Sequence, residues 1–60
     1  MKHKYLEIRR IEDDVAIKRI DLTGRSERNI ERIERGANIN LDHRHYYTEV
    51  VESEKVLPKL

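Results

Sequence analysis

The stretch from Ser26 to Gly36, S-E-R-N-I-E-R-I-E-R-G, carries a helix start, a helical period and a stop signal together. Ser26 suits an N-cap, because its hydroxyl can accept from an orphan backbone N–H, and Glu27 sets negative charge on the positive helix end. Gly36 suits the left-handed position just past a helix, with Arg35 in the last turn before it. At about 100° per residue, Ser26, Ile30, Ile33 and Ala37 share one narrow side, and Arg25, Arg28, Arg32 and Arg35 share another. Glu27, Glu31 and Glu34 lie between the two. The segment therefore reads as a three-faced helix: one apolar ridge for packing, one guanidinium row and one acidic flank.

A helix built only for solubility interleaves its signs, gaining about 0.2–0.5 kcal/mol per favourable pair three or four residues apart. Here Glu31 to Arg35 and Arg28 to Glu31 can pair, but Arg28 also faces Arg32, and Glu27 faces Glu31, at comparable cost. The gains and losses nearly cancel. One interpretation is a solvated face with its counter-charges to one side. The other is a contact surface, since four guanidinium forks can grip carboxylates or phosphates.

Upstream of the helix, Y-L-E-I-R-R-I and V-A-I-K-R-I-D-L flank the acidic run Glu12-Asp13-Asp14. As a hairpin, this stretch sets Ile8 opposite Ile20 and Leu6 opposite Leu22 on one face, with Ile11 opposite Ile17 on the reverse. Read as one helix, the same stretch aligns Ile8, Ile11, Val15 and Leu22. The hairpin is preferred, because Asp13-Asp14 are turn formers and the β-branched residues and tyrosine favour strands. Past Gly36, A-N-I-N-L-D reads as a connection in which Ile39 and Leu41 anchor to the core. A third strand follows, with Tyr47, Glu49 and Val51 on one side and Tyr46, Thr48 and Val50 on the other.

These elements give an α+β fold, β-β-α-β. Its three-stranded antiparallel sheet has the order 2-1-3, with one helix packed on one face. The expected core is Leu6, Ile8, Ile20, Leu22, Ile30 and Ile33, with one of Tyr46/Tyr47 and one of Val50/Val51. Residues 1–60 form one small domain, with 54–60 as a frayed tail. So thin a core leaves Ile11, Val15, Ile17 and the free edge of strand two exposed, and a homodimer would cover them.

Charged residues make up 42% of the chain, and 13 lysines and arginines nearly balance 12 acids. No general basic field recruits nucleic acid, so any such binding needs a local patch. The absence of cysteine excludes disulfides, thiolate metal sites and a cysteine nucleophile, and fits a reducing cytoplasm. No apolar run approaches the ~18 residues of a membrane span. His43 and His45 form an H-x-H pair, but two ligands are too few for a metal site. Ser26 is occupied in capping, Ser53 has no base nearby, and no Gly-rich phosphate loop occurs. An enzyme, a metal centre and a cofactor are therefore not expected.

The stretch L-T-G-R-S-E-R-N-I-E-R-I-E-R-G-A-N-I-N-L-D, followed by Y-Y-T-E-V-V, resembles short proteins encoded by tailed phages and bacterial prophages. That resemblance implies a small accessory factor binding a host enzyme or a nucleic-acid complex in the bacterial cytoplasm. It transfers no site residue. From the residues themselves, two functions are open. The first is a protein-interaction module in which Arg25, Arg28, Arg32 and Arg35 meet an acidic patch, with Tyr46 or Tyr47 as anchors. The alternative is a dimeric nucleic-acid binder gripping phosphates through the same arginines, aided by Arg9, Arg10, Lys18 and Arg19.

Overall fold

In a computed structural model, which describes residues 2–60, the acidic run reverses the chain as its turn formers require. Strand β1 (His3–Arg10) leads into it and β2 (Ala16–Asp21) leaves it. The Arg10 N–H donates to the Val15 carbonyl at 2.9 Å, and the Asp14 N–H to the Arg10 carbonyl at 2.7 Å. Asp14 takes φ +57°, a left-handed conformation that aspartate tolerates better than most residues. Helix α1 (Glu27–Ile39) and strand β3 (Tyr46–Ser53) complete the order β-β-α-β. The N-terminal third is thus a hairpin. The sheet order is β2-β1-β3, with both outer strands antiparallel to β1.

The hairpin register departs from the expected one by two residues. Leu6 lies opposite Ile20, and Ile8 opposite Lys18. The loop spans 11–14, so continuing the Arg10–Val15 pairing one for one would send Ile20 to the wrong face. A bulge corrects this: the pairing steps from Arg9↔Ala16 to Ile8↔Lys18, leaving Ile17 as the extra residue. Ile11 and Ile17 are consequently not partners, and both remain exposed with Val15.

On the helix side of the sheet, Leu6 and Leu22 are fully buried, each worth about 1.5–3 kcal/mol of burial. Leu22 extends the β2 pairing, its N–H donating to the Lys4 carbonyl at 2.7 Å. The turn Leu22-Thr23-Gly24-Arg25 then closes through Arg25 N–H to Leu22 carbonyl at 3.0 Å. Gly24 at φ +77° occupies the position where a type II turn needs a glycine. Ser26 caps α1 as expected, its hydroxyl accepting from the Asn29 N–H at 3.3 Å. Ile30, Ile33 and Ala37 face the sheet half-buried. Near the far end of α1, the Asn38 amide and the Thr48 hydroxyl of β3 exchange hydrogen bonds at 3.3 Å.

The helix does not stop at Gly36. It runs one turn further, through Ile39 to a C-cap at Asn40, and Gly36 has no left-handed φ. A glycine is allowed past a helix end but does not compel one, and the Asn38 contact with β3 favours keeping that turn. Ile39, expected as a core anchor, is 72% exposed instead.

The second sheet face holds a polar core. Glu7, only 3% exposed, lies directly opposite Arg19 of β2 and two residues before Arg9 on β1. Arg9 Nη1 reaches Glu7 Oε1 at 2.6 Å, while Arg19 Nη2 and Nε reach Oε2 at 2.6 and 2.8 Å. Segment 54–60, expected to fray, is tied to this face. The Leu57 N–H donates to the Tyr5 hydroxyl at 3.1 Å, and Arg19 Nη1 donates to the Pro58 carbonyl at 2.6 Å. Tyr5 is buried beneath it.

Candidate protein-binding surface on the helix

The eight arginines of the chain divide into two sets. Arg9, Arg10, Arg19 and Arg44 each have an acid within 4.0 Å: Glu7 or Asp14, Asp13, Glu7 and Asp42 respectively. Among the described residues, Arg25, Arg28, Arg32 and Arg35 have none, and all four are exposed. Neither Glu31 to Arg35 nor Arg28 to Glu31 closes into an ion pair. For three of them the cause is local: the Ile30–Ile33–Ala37 ridge orients α1, and the 3.6-residue period then turns Arg28, Arg32 and Arg35 outward. Their position is also unfavourable for the helix itself. Arg28 lies in the first turn and no basic residue lies in the last, opposite to what the helix dipole prefers.

Arg28, Arg32 and Arg35 border one shallow depression together with Glu31. Arg25 sits apart, before the N-cap, in a cleft shared with Lys2, Lys4, Thr23 and Glu52. The row is therefore three guanidiniums plus an outlier.

The two tyrosines do not join it. Tyr46 and Tyr47 open β3 on opposite faces, paired with Arg10 and Arg9 of β1. The Tyr47 hydroxyl donates to the Asp14 carboxylate, which also accepts from Arg9 Nε at 3.0 Å. The Tyr47 hydrogen bond, then the Arg9 bond, hold Asp14 below the usual carboxylate range, and the same contact with Asp14 pushes the Tyr47 hydroxyl up. The Asp14 and Glu7 carboxylates also raise the Arg9 pKa, so Arg9 keeps its charge. Tyr46 is half-buried beside His45 with Arg10, Ile11 and Arg44.

The H-x-H pair falls in the exposed turn before β3, and its rings are separately engaged. His43 Nε2 lies 2.9 Å from the Asn38 carbonyl oxygen, and His45 Nδ1 lies 2.7 Å from Asp42 Oδ2. His45 and the Arg44 backbone N–H lower the Asp42 pKa. Among the described residues, no group of three or more His, Cys, Asp or Glu is placed to hold a metal ion. No described helix is long and apolar enough to cross a membrane.

Sequence reasoning missed Ile39 as a surface residue, because a helix ending at Gly36 leaves it in a loop. On the observed helix it shares the arginine side. Comparison with protein-family models, curated proteins and solved structures finds no match to this chain.

Proposed function

We propose that this chain is a small non-enzymatic binding protein whose arginine-lined helix face engages an acidic patch on another protein. The observation that carries the reading is the division of the arginines. Arg9, Arg10, Arg19 and Arg44 each have a carboxylate supplied by the fold, and among the described residues Arg28, Arg32 and Arg35 along α1, with Arg25 just before it, have none. Guanidiniums already exposed and unpaired need break no internal pair to meet a partner's carboxylates, and arginine is favoured at interface hot spots. The setting proposed is the cytoplasm of a bacterial cell, as a phage-type accessory factor, which a cysteine-free chain suits.

Self-association is part of the proposal. Ile11, Val15 and Ile17 stand exposed at the hairpin end, and docking a second copy there removes apolar surface from water. The outer edge of β2 contributes less, because a two-fold antiparallel pairing centred on Lys18 or Arg19 sets like charges opposite one another. A stable monomer in sedimentation at micromolar concentration removes this component.

The test is affinity capture with the tagged chain against a variant carrying Arg28→Glu and Arg32→Glu. A specific protein retained by the first and lost by the second is the expected result. The competing phosphate-gripping reading requires a gel shift on duplex or single-stranded nucleic acid at low salt. Its affinity should fall about tenfold or more between 50 and 200 mM salt. That shift, with no captured protein, overturns the proposal.

A further inference from the structure

Along the outward side of α1, Arg28, Arg32, Arg35 and Ile39 follow a 4-3-4 spacing. At about 100° per residue all four fall within an arc of about 60°, over an axial length of about 16 Å. This is the spacing by which one helix lines up along another. The last member is apolar, and at 72% exposure Ile39 is as exposed as any large apolar side chain described. A stripe that serves only solubility gains nothing from an isoleucine at its end. A nucleic-acid backbone gains nothing from it either, since an apolar side chain makes no favourable contact with phosphates. A protein element with carboxylates followed by an apolar side chain uses all four positions.

We infer that the partner of this surface is an acidic helix, carrying carboxylates opposite Arg28, Arg32 and Arg35 and an apolar side chain opposite Ile39. The inference rests on the protein-binding reading above and narrows it to one kind of partner. Charge complementarity selects the acid, and the 4-3-4 spacing, which reads the same in both directions, admits a parallel or an antiparallel partner. Glu31, beside the guanidiniums, repels a partner carboxylate that is out of register and so sharpens the match.

The test uses fluorescein-labelled, alanine-rich helical peptides of about 18 residues. One carries Glu at positions i, i+4 and i+7 with Leu at i+11, a second carries the reverse order, and a third has the same composition with glutamates spread around the helix. Fluorescence anisotropy should show one patterned peptide binding at least about tenfold more tightly than the spread one. Ile39→Ser should weaken the patterned peptide about tenfold and leave the spread peptide unchanged, whereas Arg32→Ala should weaken both. Circular dichroism confirms that both variants stay folded. Equal binding of patterned and spread peptides, or indifference to Ile39→Ser, overturns the inference. So does a labelled DNA duplex that binds more tightly than either patterned peptide. If the patterned peptides fail while arginine-dependent capture of a protein persists, the helix inference falls and the binding reading stands. If both fail, both fall.

Discussion

The guanidinium of Arg19 joins two parts of the chain that are far apart in sequence. Its Nη1 donates to the Pro58 carbonyl oxygen at 2.6 Å, while its Nη2 closes on Glu7 Oε2 at the same distance. One side chain thus neutralises a buried carboxylate on the central strand and fastens the C-terminal segment over it. The hydrophobic core on the helix side is thin, and this ion cluster with its cover gives the sheet a second supported face.

Removing Glu7 should therefore be among the most damaging single changes. Glu7→Ala leaves the covered Arg19 without its anion, while Arg9 keeps Asp14, a loss of about 3–5 kcal/mol for a buried pair broken on one side. At about 0.05–0.15 kcal/mol per residue, a chain of this length has only a few kcal/mol of stability in total. Urea denaturation followed by circular dichroism should show the variant largely unfolded without denaturant. A midpoint equal to that of the parent chain would mean that the cluster contributes nothing.

Stability should also fall at both ends of the pH scale, partly through one contact. Asp14 has its folded pKa depressed, by Tyr47 first and Arg9 second. Its contribution is therefore complete above the unfolded value of about 3.9 and is lost as pH falls through the lower folded value. Asp21, held by the Thr23 N–H, and Asp42 act in the same direction. Tyr47 is raised, so its contribution is complete below the unfolded value of about 10 and is lost as pH climbs through the folded one. Tyr47→Phe should lessen both the alkaline and the acid loss. Thermal melts from pH 2 to pH 12 would refute this if the two chains lose stability in parallel at high pH.

The cover over the second face depends on the Tyr5 hydroxyl. Tyr5→Phe deletes the acceptor of the Leu57 N–H and keeps the ring, at a cost of about 0.5–1.5 kcal/mol. Because that bond, with the one from Arg19 to the Pro58 carbonyl, holds residues 54–60 to the sheet, trypsin should cut after Lys55 faster in the variant than in the parent chain. Unchanged cleavage together with an unchanged urea midpoint would show that the segment is held by other contacts.

What could be read in advance follows the range of each interaction. The β-β-α-β order was legible because Asp13-Asp14 and the Ser26 cap are local signals, each acting within a few residues. The outward turn of the guanidinium row was legible for the same reason, since Ile30 and Ile33 and the helical period suffice. The hairpin register was not, because loop length alone does not reveal the extra residue at Ile17. Glu7 alternates with apolar neighbours and so reads as a solvent-facing strand position. Its burial depends on Arg19 and on a segment some fifty residues away, neither of which leaves a periodic trace. Ile39 was misplaced because Gly36 carries a stop signal that the contact of Asn38 with β3 overrides.

The two glycines should respond to the same substitution with opposite signs. Gly24 sits at φ +77° with nothing near the position of an added Cβ, so Gly24→Ala meets no steric neighbour but strains the backbone, at about 1–2 kcal/mol. Gly36 also has open space around it, but it lies inside α1 without a left-handed φ. Alanine there adds no contact and loses less backbone entropy on folding, so Gly36→Ala should stabilise the chain by about 0.5–1 kcal/mol. For a domain of this size, each change should shift the melting temperature by several degrees. If Gly36→Ala is destabilising, α1 ends before Ile39, and the stripe that places Ile39 beside Arg28, Arg32 and Arg35 is lost with it.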